Sequence, residues 1–524
     1  MKNSNKYLNT HNLFALIFVI VAIHPFIELD YLLADFLPIP RLTTIIDFII
    51  LPLLVLLVFY LCDQNKKRTL ILAGIYGLVF GLYFLLHIKN AASIQFTLHL
   101  TENFYFALSD EIVYTVTMLL PLVYIYVFVL SPLSEVILEK IAVTSSLLTA
   151  LPIFISNLFV FGKSTYVGYT YDNFLSWFSL PFDMYDFHPR KYATKFFFEE
   201  GNTIGILMLM VLPLLYYFFF RQQDAKKKAA YGVLILIHSL AMIMLSTRLA
   251  TYCTVLIPLA MLAIYGLLLL LKKEVLKKSY PAFLVVMIAL SAFIIPYGPA
   301  YQNQLIDAYD YGFIKNEENQ REEARDLLKD AEGLEKWTDE WRDFYVYMFE
   351  DYSFLINVTP PIYYNTWYSY KYDPQFWVDL IFDYELEERV NGRQIETIFT
   401  KYKWAELSAA EKLTGFGYGT FMRGGIIIER DFMQQYYSYG PLGVVLLMGG
   451  WIALLIYSGL RLLLGYKRGY WNYLNIILMM NICLGFICSY VSGHVMDELT
   501  TSLFIALCGG YLLSRFKESK QNNG

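Results

Sequence analysis

The amino-acid sequence predicts an all-α, multi-pass membrane protein with a large, mostly helical extracytoplasmic segment between its ninth and tenth spans. Of the 524 residues, 57% are hydrophobic and 17% are charged, and the mean hydropathy is +0.44. Such values lie outside the range of soluble proteins. Apolar segments of roughly 18 to 22 residues, long enough to cross a hydrocarbon core of about 30 Å as a helix, recur along the chain. We predict twelve spans: 12–29, 42–62, 69–88, 111–130, 141–161, 201–220, 231–247, 250–271, 279–297, 437–460, 471–492 and 497–514.

Lysine and arginine residues in the connections predict the orientation, because loops rich in these residues stay on the cytoplasmic side. With both termini inside, the inner connections hold 20 basic residues and the short outer connections hold 7. The sequence therefore predicts a protein of the cell membrane with both termini cytoplasmic and its long segment outside.

The polar segment 298–436 divides the chain into three predicted parts. Nine spans occupy 1–297, the extracytoplasmic loop domain occupies 298–436, and three spans with a short cytoplasmic tail occupy 437–524. The loop domain contains 26 acidic and 14 basic residues, a net charge of −12, and none of the five cysteines. No disulfide framework or thiolate metal site is predicted. A domain of this size favours an enzyme at the membrane face over a transporter.

Aromatic residues dominate the middle of the loop domain. Residues 316–352 show the three-, four- and seven-residue spacing of amphipathic helices. In the following stretch, 360–377, several prolines predict irregular structure. Its flat aromatic faces suit the apolar sides of sugar rings, and the predicted glycan-binding residues are Tyr364, Trp367, Tyr370 and Trp377. The alternative is an aromatic belt at the level of the lipid headgroups.

A short polar turn separates the seventh and eighth predicted spans. It contains Ser246, Thr247 and Arg248, with no other charge nearby in sequence. An arginine at membrane depth usually faces a cavity and an anionic group, and its planar five-donor fork suits a phosphate or diphosphate. The alternative is that Arg248 reaches the lipid headgroups or pairs with a carboxylate on another helix.

A second basic cluster precedes the sixth span. Arg190, Lys191 and Lys195 form the densest positive patch among the short outer loops. Because positive charge is depleted on that side of the membrane, the cluster predicts an anionic partner. This partner is either the headgroups of membrane lipids or the diphosphate of a lipid-linked substrate.

The loop domain closes with the glycine-rich sequence Gly415-Phe-Gly-Tyr-Gly419. Gly415, Gly417 and Gly419 predict a backbone that reaches positive φ and approaches a ligand closely. A nucleotide phosphate loop is excluded, since no Lys-Ser or Lys-Thr follows. The alternative is a turn that returns the chain to the membrane.

The order of these features resembles the O-antigen ligase and O-antigen polymerase family of bacterial membrane proteins. Four segments carry the resemblance: Gly201-Asn202 at the start of a span, the Leu245-Ser-Thr-Arg248 turn, the glycine-rich sequence 415–419, and Glu429 to Gly443 leading into the next span. These motifs lie between about residues 190 and 460, and the earlier spans match the family by number alone.

The resemblance implies a polytopic glycosyltransferase that needs no metal, cofactor or nucleic-acid partner. Its donor would be a glycan on undecaprenyl diphosphate, and its acceptor a glycolipid or a growing glycan. Arg248 corresponds to an arginine of the family that holds the donor diphosphate. Arg190, Lys191 and Lys195 lie near the family's other arginine, so they are predicted to bind the same diphosphate.

The acid–base group departs from the family pattern. In the ligases a histidine about eleven residues before the closing glycine assists the acceptor hydroxyl, and counting back from Gly440 gives Glu429 instead. The reaction still needs a proton acceptor, so we predict that Glu429 or Asp431 serves. A surface salt-bridge cluster is the alternative. His494, beside Asp497 and Glu498, is a second candidate.

Two classes of function remain open at this stage. The first is a transferase, acting as a ligase or a polymerase, with a lipoteichoic acid ligase as one branch. The second is a transporter or flippase of lipid-linked glycans, for which polar or broken helices at mid-membrane would be expected. Asp47 and His238 are isolated in the sequence and are interpreted as packing residues.

Overall fold

A computed structural model describes residues 10–34, 36, 40–94, 105–165, 174–178, 192–273, 277, 279–356, 361–421, 425–466 and 469–521. Helices make up 82% of the structure, and the described residues form no strand. Twelve helices within these residues are long and apolar enough to cross a membrane, which confirms the predicted fold class. They are Thr10–Ala34, Leu42–Cys62, Lys66–Ser93, Leu108–Leu130, Glu135–Phe159, Gly201–Arg221, Ala225–Met244, Arg248–Leu270, Ser279–Tyr297, Asp431–Leu464, Tyr473–Val491 and Leu499–Glu518.

The tenth of these helices begins earlier than the sequence predicts. It starts at Asp431 rather than at 437, because its first turns are polar and fall outside a hydropathy window. Gly440, at φ +63°, breaks the helical geometry next to Pro441. Only glycine adopts this left-handed conformation without strain, and proline at the next position cannot donate a helical hydrogen bond.

The chain divides into two compact units. The first unit comprises Met1–Gly74, Thr115–Asn303 and Met448–Gly524. The second unit comprises Ile75–Tyr114 and Gln304–Leu447.

The Gly201–Arg221 helix is the centre of the first unit. Nearly all its residues are buried, which agrees with a sequence that is apolar on every side. Five helices pack around it: Glu135–Phe159, Ala225–Met244, Arg248–Leu270, Tyr473–Val491 and Leu499–Gln521. Both ends of the buried helix are therefore fixed by its neighbours.

The second unit contains a helical cluster around an aromatic core. Its main helices are Glu318–Leu328, Asp339–Tyr352, Pro374–Asp383 and Gly392–Ala405. Trp377, Phe376, Tyr368 and Phe399 lie in the core. The predicted amphipathic helices over 316–352 are present as Glu318–Leu328 and Asp339–Tyr352, joined by a short 3₁₀ segment.

The prediction of irregular structure across 360–377 is wrong at two places. Tyr363–Trp367 forms one π-helical turn, and the helix Pro374–Asp383 begins within this stretch. Pro374 occupies the first turn of the helix, where no backbone N–H has to be donated. The side chain of Asp373 caps the same end by accepting a 3.1 Å hydrogen bond from the Phe376 N–H.

A buried pair between His87 and Glu111 holds the glycine-rich sequence in the second unit. The His87 Nε2 atom lies 3.0 Å from Glu111 Oε1, and its Nδ1 atom lies 2.8 Å from the Thr414 carbonyl oxygen. Glu111 Oε2 accepts a 2.8 Å hydrogen bond from the Gly419 N–H. Neither side chain of the pair has any exposed surface. The buried carboxylate of Glu111 thus connects the end of the Lys66–Ser93 helix, the start of the Leu108–Leu130 helix and the backbone at Gly419.

Replacing Glu111 by alanine is expected to destabilise the protein by about 3 kcal/mol, because His87 and the Gly419 N–H lose their buried acceptor. Thermal unfolding of the detergent-solubilised protein measures the loss. Ser109→Ala on the same helix is the control, since Ser109 is exposed. Equal melting temperatures for the two variants would contradict the assigned role of Glu111.

Candidate active site

The turn that carries Arg248 is as tight as the sequence predicts. The preceding helix ends at Met244, Ser246 adopts a left-handed φ of +60°, and Arg248 is the first residue of the next helix. Thr247 caps that helix by accepting a 3.4 Å hydrogen bond from the Ala250 N–H. The turn therefore presents Arg248 at the positive end of a helix dipole.

This turn packs closely against the start of the buried central helix. A Cβ atom added to Gly205 would lie 3.0 Å from Thr247 Oγ1 and 3.2 Å from the Ala250 Cβ atom. The Thr165 hydroxyl donates a 2.7 Å hydrogen bond to the Leu245 carbonyl and fastens the turn from another side. The small residue at 205 thus allows two helix N-termini to meet.

Lys195 lies beside Gly201, at the start of the buried central helix. A Cβ atom added to Gly201 would lie 3.6 Å from Thr247 Cγ2 and 3.8 Å from Lys195 Cδ, so both side chains border one point. The Lys195 ammonium group donates a 2.6 Å hydrogen bond to the Glu199 carbonyl. Burial lowers the pKa of Lys195; Glu200 and Glu199 oppose this shift, and Lys163 adds to it. A lysine whose charge is disfavoured in this way would gain from a bound anion.

The starts of two helices therefore lie close together, with Lys195 beside one of them and Arg248 as the first residue of the other. Glu200 precedes the central helix but makes no side-chain capping bond to it. Backbone N–H groups and the dipole at a helix N-terminus favour phosphate groups. Of the predicted diphosphate-binding residues, the structure brings Arg248 and Lys195 to this location, whereas Arg190 and Lys191 lie outside the described residues.

A cluster of histidine and carboxylate side chains, which sequence reasoning missed, lies in the first unit. His24 Nε2 lies 3.0 Å from Asp47 Oδ1, and His24 Nδ1 lies 2.7 Å from the Thr500 hydroxyl oxygen and 3.3 Å from Glu28 Oε1. The Thr500 hydroxyl also donates to Glu28 Oε1. Asp47, which is isolated in the sequence, therefore has a buried histidine partner in the structure. His238, by contrast, bonds Ser146 and the Met208 carbonyl, as a packing residue would.

Glu498 adjoins this cluster. Burial raises the pKa of Glu498 well above its ordinary range, and the charges of Glu28, Asp497 and Glu200 add to the shift, while His494 opposes it. His494 Nδ1 lies 3.2 Å from Asp497 Oδ2. The charge of Glu200 acts on both Glu498 and Lys195, so the acidic cluster and the cationic helix ends are neighbours.

The predicted catalytic residues Glu429 and Asp431 lie in the second unit. Glu429 forms an ion pair with Arg393, and its backbone N–H lies 3.4 Å from Glu396 Oε2. Asp431 is fully buried at the first position of its helix.

Glu396, a residue that the sequence analysis did not single out, is 3% exposed and accepts a 2.7 Å hydrogen bond from the Tyr363 hydroxyl. Burial and the charge of Glu429 raise the pKa of Glu396 to about 7. Glu396 and Glu429 are 33 residues apart in the sequence, and no local pattern predicts that they lie next to each other.

The predicted glycan-binding aromatics differ in exposure. Trp377 has no exposed surface, and its indole N–H donates a 2.8 Å hydrogen bond to the Tyr368 carbonyl. The prediction that Trp377 stacks on a sugar is therefore corrected: its ring stabilises the core. Tyr364, Trp367 and Tyr370 are partly buried against that core and keep some exposed surface.

Contacts within the chain account for the glycines of the closing sequence. Gly415 and Gly417 have φ values of +81° and +84°. A Cβ atom on Gly415 would collide with the backbone at Ser438, and one on Gly417 would lie 3.1 Å from Glu111 Oε2. A Cβ atom on Gly419 would meet the Ala107 carbonyl. Close packing explains all three glycines without the predicted ligand contact.

The described residues include no group of three or more His, Cys, Asp or Glu side chains arranged to hold a metal ion. Comparison with protein families matches residues 8–519 to the family described as O-antigen ligase like membrane protein. The resemblance drawn from the sequence motifs is thereby confirmed over nearly the whole chain. A search of curated proteins found no match. The family supports a glycan ligase or polymerase, with a lipid-linked glycan and an acceptor as its general partners.

The raised pKa of Glu396 predicts a pH-dependent stability. The ordinary pKa is 4.5 and the folded value is about 7, so the folded protein holds a proton that the unfolded chain releases. Stability from this group is therefore present below pH 4.5 and falls as pH rises towards 7, by up to about 3 kcal/mol. Glu396→Gln is expected to flatten this part of the stability profile, measured by thermal unfolding between pH 5 and pH 8. Glu322→Gln, at an exposed carboxylate, provides the control, and a profile unchanged by Glu396→Gln would refute the assignment.

Proposed function

Since the chain belongs to the O-antigen ligase-like family of membrane proteins, we propose that it transfers a glycan from undecaprenyl diphosphate to an acceptor hydroxyl at the outer face of the cell membrane. The observation that carries the proposal is the meeting of two helix N-termini with Arg248 and Lys195. Such a site suits a diphosphate on a lipid carrier.

The proposed reaction is a displacement at the anomeric carbon of the donor glycan. The acceptor oxygen forms the new glycosidic bond, the bond to the diphosphate oxygen breaks, and the electron pair stays on the diphosphate. Negative charge therefore grows on the leaving group. A guanidinium fork and the N–H groups of two helix ends can stabilise that charge.

Arg248 and Lys195 have different parts in this scheme. Arg248 is exposed at the first position of its helix, so its fork can reach a ligand outside the packed helices. Lys195 is partly buried beside Gly201 and supplies a point charge at the start of the central helix. Arg190 and Lys191 are proposed from the sequence alone to bind the same diphosphate, since they lie outside the described residues.

The acceptor is proposed to be a glycolipid or a growing glycan. Tyr364, Trp367 and Tyr370 offer partly exposed aromatic faces for sugar rings in the second unit. Glu429 and Asp431 are the proton acceptors that the sequence suggests. Transfer onto a glycolipid or a teichoic-acid-type anchor would make the protein a ligase, and extension of the lipid-linked chain would make it a polymerase.

Arg248→Ala is expected to lower kcat/KM for transfer from an undecaprenyl-diphosphate-linked glycan by roughly 10- to 100-fold, because a charge-assisted contact to the diphosphate is lost. Arg248→Lys should recover only part of the rate, since lysine lacks the planar fork. Product formation by purified protein in detergent or liposomes provides the measurement. Arg68→Ala is the control, because Arg68 is exposed and is not part of the proposed diphosphate site. Wild-type rates in Arg248→Ala would refute the donor site.

Membrane sidedness follows from the same proposal. In a background with Cys62 and Cys483 replaced by serine, Lys371→Cys is expected to react with a membrane-impermeant maleimide in intact cells. Lys227→Cys should react only after lysis, because its loop is predicted to be cytoplasmic. Both positions are exposed in the structure. Labelling of Lys227→Cys in intact cells would reverse the orientation.

A further inference from the structure

We propose that Glu28 accepts the proton of the acceptor hydroxyl, and that Thr500, His24 and Asp47 position its carboxylate. The inference rests on the proposed glycan transfer. It gives the proton-accepting role to the first unit rather than to Glu429 or Asp431.

The first argument is the free-energy cost of burying ionisable side chains within membrane-spanning helices. Three separate segments place polar side chains together: the Thr10–Ile27 helix with the turn that follows it, the Leu42–Cys62 helix, and the first turn of the Leu499–Gln521 helix. His24 is 2% exposed and Asp47 is 7% exposed. Ionisable groups in a membrane-spanning helix are expensive to bury, so they commonly serve a function. Asp47 also lies on the π-helical turn Ile46–Ile50, an irregularity that often occurs at functional sites.

The second argument is the geometry around Glu28. Asp47 holds one ring nitrogen of His24, so the other nitrogen is directed at Thr500 and Glu28. The Thr500 hydroxyl donates to the same carboxylate oxygen of Glu28. The side chain of Glu28 is 19% exposed, so a substrate can reach it, whereas His24 behind it is enclosed. This is the arrangement of a base that is oriented by a second group, itself held by a third.

The third argument is the neighbouring carboxyl group. Burial raises the pKa of Glu498, and the negative charges of Glu28, Asp497 and Glu200 add to that shift. A carboxyl group that holds its proton carries no charge. Glu498 therefore adds little negative charge to the surroundings of Glu28.

Other charged groups lie on the adjoining elements. His494 pairs with Asp497, and Arg41 pairs with Asp30 at 3.0 Å and approaches Glu199 at 3.6 Å. These ion pairs keep the remaining charges near balance.

The fourth argument is that a short chain of contacts connects Glu28 with the proposed donor site. Arg41 Nη2 lies 3.2 Å from the Glu28 carbonyl oxygen and 3.6 Å from Glu199 Oε2. Lys195 donates a 2.6 Å hydrogen bond to the Glu199 carbonyl. The proposed proton acceptor and the proposed diphosphate site are thus connected through Arg41 and Glu199 within one unit. Attack and departure at one anomeric carbon require such neighbouring groups.

In the proposed step the acceptor O–H bond breaks and its proton passes to the Glu28 carboxylate. The acceptor oxygen bonds to the anomeric carbon, and the carbon–oxygen bond to the diphosphate breaks with its electron pair on the diphosphate. Glu28 afterwards releases the proton to water. No oxidant, reductant or metal ion enters the balance.

Glu28→Gln is the direct test in purified protein supplied with an undecaprenyl-diphosphate-linked glycan and an acceptor. We expect kcat to fall by roughly 100- to 10,000-fold, with unchanged binding of undecaprenyl diphosphate in a separate equilibrium measurement. Glu498→Gln is expected to keep both the fold and the acidic limb of the pH–rate profile, because the amide has the same zero charge as a protonated Glu498. Glu139→Gln, at a carboxylate that accepts hydrogen bonds from Gln222 and Tyr231, is the matched control and should transfer at the wild-type rate.

Full transfer by Glu28→Gln across the pH range would overturn the proposal, and so would loss of transfer in Glu429→Gln alone. If Glu28→Gln does not fold, Glu28→Asp replaces it. A wild-type kcat and a wild-type pH profile in Glu28→Asp would equally count against the proposed role of Glu28. Failure of the proposed function is a different result: the wild-type protein would transfer no glycan, or Arg248→Ala would retain the full rate.

Discussion

The burial of nearly the whole Gly201–Arg221 helix is the constraint on which the first unit depends. A helix surrounded by five others cannot tilt or slide without disturbing all of them. Its N-terminus is therefore a fixed point, and Gly201 and Gly205 let the Thr247 turn approach it closely. Lys195 and the turn before Arg248 are placed relative to that point. The site is consequently built on rigid elements, which is the arrangement that precise positioning requires.

Local sequence patterns determine what could be predicted. Hydropathy located all twelve spans, because a long apolar run has one interpretation in a chain of this composition. The turn before Arg248 was predicted for the same reason, since two apolar runs leave no room for a longer loop. Motif order then identified the family, which covers residues 8–519.

Contacts between distant segments set the limit of prediction. His24 meets Asp47 across 23 residues and Thr500 across 476 residues, and no periodicity in one sequence links such positions. Aromatic residues were equally ambiguous: Trp377 and Trp367 look alike in a polar segment, yet one lies in the core and the other is partly exposed. Pro374 was misinterpreted because proline breaks a helix interior but suits its first turn. The glycines of 415–419 were predicted to lie close to a ligand, and in the structure they lie close to other parts of the protein.

The buried histidine and carboxylate cluster has a consequence for efforts to stabilise this protein. Buried ionic groups are commonly less favourable than apolar or amide groups of the same shape. A selection for heat resistance would therefore accumulate substitutions at Asp47 and Glu498, the positions that carry the cost of desolvation. Thermostable variants obtained in that way would be well suited to structure determination and poorly suited to enzymology. The most robust form of the molecule and its working form are expected to be different sequences.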